Sequence, residues 1–195
     1  MTKTTINFIL NGVRRSVDVE ANDVLLDVLR TRLGIKSPKV GCDRGDCGTC
    51  TIIMNGRTVR SCLVLAIEAE GSDIVTLEGI SRNGPSPLQE SFIRHNSFQC
   101  GFCAPGVTLS ATELLSRNPN PSDEEIKDAI AGNLCRCTGY VPIIEGIKGA
   151  VTRKADKKKK NARIADNARM DDLVKAIGEA VGKPVKKARK PGRAK

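Results

Sequence analysis

The 195-residue sequence has no tryptophan, one tyrosine, four phenylalanines and one histidine. A lone histidine, His95, cannot build a histidine-rich metal centre or a Ser-His-Asp triad. No Gly-rich fingerprint follows a strand, so the chain is expected to have no nicotinamide or flavin site of its own. No apolar run reaches the roughly 18 residues needed to span a bilayer. The stretch MTKTTINFILNGVRR has a short apolar segment but no uncharged core leading to a small-residue cleavage site, so no export signal is read. The expected compartment is the cytoplasm, where cysteines are kept reduced and serve purposes other than disulfides. The length suits one or two compact domains with modest cores and excludes a large single-chain enzyme. Against these absences stand eight cysteines and a net charge of +10.

The charge is uneven. Residues 1–150 carry 16 Lys or Arg and 17 Asp or Glu, a net of −1, whereas residues 151–195 carry 16 and 5, a net of +11. All eight cysteines precede this tail. Lys157 to Lys160 form an uninterrupted basic run, and 183–195 is rich in Lys, Pro and Gly. Between them Ile164, Met170, Leu173, Val174, Ile177 and Val181 recur at near-helical spacing, which predicts an amphipathic helix over 165–181 in an otherwise solvated extension. The tail has no aromatic rings for stacking bases and no helix-turn-helix or finger motif, so nucleic acid is not its expected partner. A docking arm for an acidic surface is the alternative to a plain solvated extension.

In the first half, Thr4 to Leu10 alternates as a strand with Ile6, Phe8 and Leu10 on one face. Asn11-Gly12 is a two-residue hairpin turn, and Val13 to Val19 returns. Asn22 or Asp23 is expected to cap a helix burying Val24, Leu25, Val28 and Leu29, ended by Gly34. Then comes GCDRGDCGTC, followed by short strands at 51–54 and 58–60 around Asn55-Gly56, and by Cys62. The spacing of Cys42, Cys47, Cys50 and Cys62 is C-x4-C-x2-C-x11-C, the plant-type [2Fe-2S] pattern. Glycines in such a loop let backbone N–H groups approach a negatively charged cluster. Structural zinc, which favours cysteine pairs on separate knuckles, and redox disulfides are the alternatives.

A last strand is expected over 75–77, then a linker marked by Gly84, Pro85 and Pro87. Helical patterns follow at about 88–95, from Pro105 to Asn118, from a Ser122/Glu125 capping box onward, and through Ile143, Ile144 and Ile147. Cys100 and Cys103 lie at one helix start, and Cys135 and Cys137 in a turn between later helices, giving a second set of four thiols. Taken alone, C-x2-C…C-x-C also suits a four-cysteine zinc site. Beside a plant-type motif in one reduced chain, a second iron–sulfur cluster is the favoured reading. Tyr140 is read as core and His95 as a partly exposed helix-end residue.

GCDRGDCGTC with Cys62, QCGFCAPG and NLCRCTGY, in that order, give residues 4–150 a close resemblance to the small iron–sulfur subunit of the molybdenum hydroxylases. That family includes the xanthine dehydrogenase, carbon monoxide dehydrogenase and 4-hydroxybenzoyl-CoA reductase types. The resemblance implies an α+β chain: a plant-ferredoxin-like β-grasp domain over 1–80, then an all-α four-helix [2Fe-2S]-binding domain over 81–152. Residues 153–195 form a basic extension that the family does not explain. It implies that Cys42, Cys47, Cys50 and Cys62 hold the cluster distal to molybdenum, and that Cys100, Cys103, Cys135 and Cys137 hold the proximal one. Gln99 matches the glutamine that contacts the molybdopterin cofactor of the large subunit. Electrons would pass between that cofactor and FAD on a medium subunit, or another acceptor, in a complex that is commonly a dimer of heterotrimers. The chain would be the wire of an oxidoreductase with no substrate-converting site of its own. Departures from the family pattern replace no ligand: Arg44 and Asp46 stand where glutamates are common, Thr49 where alanine is, and Ala104 where threonine is frequent. Arg44 is expected to raise the distal cluster's potential. A free-standing two-cluster carrier and a zinc-stabilised binding module are the remaining alternatives.

Overall fold

The computed structural model describes residues 3–151. The basic extension and the helix expected over 165–181 lie outside the described residues. Strands β1 (Thr4–Leu10) and β2 (Val13–Val19) form an antiparallel hairpin about Asn11-Gly12, both in left-handed conformation (φ 53° and 77°). β1 also pairs in parallel with β5 (Asp73–Val75), which pairs antiparallel with β3 (Thr51–Met54), itself paired with β4 (Arg57–Arg60). The order β2-β1-β5-β3-β4 is a mixed five-stranded sheet of β-grasp topology. The period-2 alternation of β1 places Ile6, Phe8 and Leu10 in the core while Thr5, Asn7 and Ile9 face outward.

Helix α1 (Leu25–Asp27) covers the buried face and runs directly into a wider π-helical turn, Val28–Arg32. Its N-cap is Val24, not Asn22 or Asp23. Asp23 is turned back instead, accepting the Glu20 N–H (2.8 Å) and pairing with Arg32 (2.7 Å), so it braces the loop rather than the helix end. Leu25, Val28 and Leu29 pack on the sheet core as expected. Leu26 points the other way, against Cys50 and Cys62.

The strand expected over 75–77 is shifted: β5 ends at Val75, and Leu77–Ile80 is a one-turn helix, α2. The cause is Glu78, whose carboxylate accepts the N–H groups of Lys36 and Ser37 (2.9 and 2.8 Å) and the hydroxyls of Ser37 and Thr76 (2.5 and 2.6 Å). Those four bonds draw the segment out of the ladder.

The second half is helical: α3 (Pro87–Arg94), α4 (Ala104–Arg117), α5 (Asp123–Ile130) and α6 over 141–151. Capping boxes start two of them, Ser86 with Gln89 and Ser122 with Glu125. Phe92, Val107, Ala111, Ile126, Ile130, Ile143 and Ile147 fill one core between the four helices. α4 lies against β3, and the contact is close because two glycines meet there. A Cβ on Gly48 (φ 71°) would collide with the Gly132 carbonyl, and one on Gly106 with the Gly48 carbonyl. Among the described residues no helix is long and apolar enough to cross a membrane.

Candidate metal centres

The loop of Cys42, Cys47 and Cys50 lies in the irregular segment between the π-helical turn and β3, which begins at Thr51, while Cys62 sits on the short turn Ser61–Leu63 after β4. Backbone bonds fix that turn: the Ser61 N–H and hydroxyl both reach the Cys50 carbonyl (3.3 and 2.7 Å), and the Leu25 N–H reaches the Val64 carbonyl. Cys50 Sγ and Cys62 Sγ are consequently 3.3 Å apart and buried. Cys42 Sγ accepts the Cys47 N–H at 3.3 Å and also bonds the Cys47 thiol. The four thiols of this set therefore meet two by two.

The second set repeats the pattern. Cys103 ends the loop that opens α4, and Cys135 and Cys137 lie between α5 and α6. Cys100 and Cys137 are 3.6 Å apart at the surface, and Cys103 bonds Cys135 in the interior. The four thiols line a cavity of about 170 Å³ together with Phe102, Leu134 and Arg136. Tyr140 is more than core: its hydroxyl accepts the Cys135 N–H (2.9 Å) and donates to the Asn133 carbonyl (3.3 Å), holding the loop in shape. Gln99 is exposed, and its amide donates to the Cys137 carbonyl (3.1 Å). His95 ends α3, with its ring bonded to the Ser91 carbonyl.

All eight cysteines are free thiols. Among the described residues no three His, Cys, Asp or Glu side chains converge on a point suited to a single ion. Paired thiols are the donor arrangement that a binuclear [2Fe-2S] unit requires, two for each iron, whereas one tetrahedral zinc would draw four around a single point.

The thiols are also electrically uneven. Backbone N–H groups of Arg44 and Cys47 bring Cys42 down to about 7. Burial and the bond to Cys50 push Cys62 up to about 12, and burial with Cys135 does the same to Cys103. The Phe102 N–H lowers Cys100, while its partner Cys137 is raised by their shared bond. Burial of Cys135 is outweighed by the Thr138 hydroxyl and the N–H groups of Cys137 and Thr138, so it too is lowered. In the second set each pair therefore joins one thiol whose pKa is lowered to one whose pKa is raised, Cys100 with Cys137 and Cys135 with Cys103. Arg44, expected to act on the first set, is exposed and paired with Asp46 (2.6 Å), and it interacts electrostatically with Cys42 as well.

Between the two sets lies a network that sequence patterns do not reveal. Asn133, fully buried, donates to the Gly48 carbonyl (3.0 Å) and to Thr51 Oγ1 (3.1 Å), and accepts the Ser110 hydroxyl (2.7 Å). Arg60 donates to Thr51 Oγ1 (2.6 Å) and to the Gly132 carbonyl (2.7 Å). The Leu134 N–H reaches the Cys47 carbonyl (2.9 Å). The loops carrying Cys47 and Cys135 are therefore joined directly.

Comparison with known proteins agrees with this duplicated arrangement. Residues 8–75 match a 2Fe-2S iron-sulfur cluster binding domain, and residues 76–148 a [2Fe-2S] binding domain. The nicotinate dehydrogenase small FeS subunit of Eubacterium barkeri is 50% identical over 157 residues, covering 80% of this chain and 100% of that one. The nicotine 6-hydroxylase small subunit of Paenarthrobacter nicotinovorans is 49% identical over 148 residues, covering 76% and 90%. Among solved structures, quinoline 2-oxidoreductase from Pseudomonas putida 86 superposes with a TM-score of 0.75 at 44% identity, covering 80% of this chain and 97% of that one. With two cluster domains in series and relatives matched over nearly their whole length, the chain belongs to the small iron–sulfur subunits of the molybdenum hydroxylase family, the electron-transfer components of those enzymes.

Proposed function

We propose that Cys42, Cys47, Cys50 and Cys62 hold one [2Fe-2S] cluster and that Cys100, Cys103, Cys135 and Cys137 hold the other. The two-by-two pairing of the thiols carries this reading. Cys42 with Cys47 and Cys50 with Cys62 would each serve one iron of the first cluster, and Cys100 with Cys137 and Cys103 with Cys135 those of the second. Each cluster supplies a one-electron carrier, and the chain's own residues fix the carriers in place and exclude water from Cys50, Cys62 and Cys103. The proximal set is the one with exposed thiols, Cys100 and Cys137, and exposed Phe102 and Leu134 line it. This supports contact with the molybdopterin-binding large subunit at that face, with Gln99 reaching its cofactor. The opposite set would then deliver electrons toward a medium FAD subunit or another acceptor.

The domain limits follow as 1–80 and 81–152, with 153–195 as an appended basic extension. Eight free thiols suit a cytoplasmic protein. Substrate conversion belongs to the partners, and the assembly is a dimer of heterotrimers. Native co-purification, with molybdenum, flavin and mass analysis of the complex, tests this. Recovery of large and medium subunits with molybdenum and FAD supports it. An isolated chain retaining both clusters would instead favour a free-standing carrier.

A further inference from the structure

Lys39 touches both cysteine loops. Its N–H donates to the Thr49 carbonyl (3.0 Å) and its carbonyl accepts the Thr49 hydroxyl (3.1 Å), which pins its backbone beside the loop of Cys47 and Cys50. Its side chain leaves in the other direction. Nζ donates to the Phe102 carbonyl (3.3 Å) and the Ser37 carbonyl (3.4 Å), and stands 5.3 Å from the centre of the Phe102 ring. Phe102 lies between Cys100 and Cys103, so the ammonium grips the peptide that leads into Cys103.

This cation is half-buried and, among the described residues, makes no ion pair with a carboxylate. A second cation, Arg30, is held close by through the carbonyls of Lys36 (3.0 Å) and Pro38 (2.6 Å). Burial and Arg30 work against the charge of Lys39, while Cys103 and Glu78 favour it. Glu78 is already engaged by Lys36, Ser37 and Thr76. A positive charge in partly buried surroundings acts more strongly on its neighbours than one in water. Net charge and nearby donors are among the levers that set an iron–sulfur potential.

We propose that Lys39 is a positioning residue that sets the reduction potential of the cluster held by Cys100, Cys103, Cys135 and Cys137, acting as its fixed countercharge through the Phe102 peptide. Lys39 stabilises the additional negative charge that one-electron reduction brings to that site, and so raises its potential relative to the other cluster. This rests on the ligand assignment proposed above.

The test is a redox titration followed by EPR on the full chain with its clusters, comparing the unsubstituted protein with K39M, K39Q and K39R. Cys103→Ser and Cys50→Ser assign the two signals. K39M and K39Q are expected to lower the midpoint of the signal altered by Cys103→Ser, changing its oxidised-to-reduced ratio about tenfold, or ~59 mV for one electron. K39R should retain the original midpoint, and the other signal should not move. An unchanged midpoint in K39Q with both signals present overturns the proposal. So does an equal shift in K39R, or a shift confined to the other signal. Failure of the unsubstituted chain to give two signals overturns the ligand assignment, and this proposal with it.

Discussion

Leu26 in α1 and Leu29 in the π-helical turn that continues it are both fully buried, yet they serve different ends. Leu29 belongs to the sheet core, whereas Leu26 packs against Cys50 and Cys62. Truncating either to alanine costs about 2–5 kcal/mol, the usual penalty for deleting buried methyl groups. The two variants should separate in a second assay. Leu26→Ala opens the buried thiol pair to water, so chelator-driven loss of visible absorbance quickens; Leu29→Ala, of similar stability, loses its colour at the unsubstituted rate. Equal bleaching rates would show that Leu26 does not shield the site. The two sets of four cysteines were legible in the sequence because their spacing is a one-dimensional signal. Leu26 was not, because helical periodicity marks a residue as apolar without saying which of two cores it enters. Asn133 and Tyr140 were missed for a related reason. A buried amide and a loop-bracing hydroxyl are recognisable only when their partners, distant or locally folded, are in view.

At the scale of elements, the hairpins, α4 and the capped helices α3 and α5 follow from local chemistry: Asn-Gly turns, Pro105 in the first turn of α4, and serine caps. Two departures have one kind of cause, a carboxylate recruited over distance. Asp23 turns toward Arg32 instead of capping α1, and Glu78 converts the end of an expected strand into α2. Glu78 sits 41 residues from Ser37 in sequence, so no local pattern contains that bond. Burial alone would raise its pKa, but the Ser37 and Thr76 hydroxyls and the Ser37 N–H bring it below the ordinary 4.5. A lowered carboxyl contributes stability that is present above the unfolded value near 4.5 and disappears as pH falls through the folded value. Glu78→Gln should therefore lower the denaturation midpoint at pH 7 and have a smaller effect at a pH below 4.5. Urea titrations at the two pH values measure this, and an effect of equal size at both would refute the linkage.

For the whole molecule, the sequence divides into a near-neutral body and a strongly basic extension, and the body into a sheet half and a helical half. What the sequence does not convey is how the halves are locked. Asn133, Arg60 and Thr51 close a hydrogen-bond network across the two cysteine loops, and Gly48 with Gly106 lets the backbones approach. Asn133→Ala takes the acceptor from the Ser110 hydroxyl, while the Gly48 carbonyl keeps the Thr51 N–H and hydroxyl, at about 1–3 kcal/mol for the buried group left unsatisfied. Thermal unfolding should shift down accordingly. Magnetic interaction between the reduced clusters should weaken as well, since the loops are no longer held at one separation. A stability loss with unchanged interaction would mean that the network is purely structural.

The central claim is that this chain carries two [2Fe-2S] clusters, each spanning two thiol pairs. Quantitative EPR of the dithionite-reduced full chain, combined with iron and acid-labile sulfide analysis, tests it most directly. The account predicts two distinct signals with four irons and four sulfides per chain, one signal being altered by Cys50→Ser and the other by Cys103→Ser. A single signal, or a colourless protein with stoichiometric zinc, would contradict it.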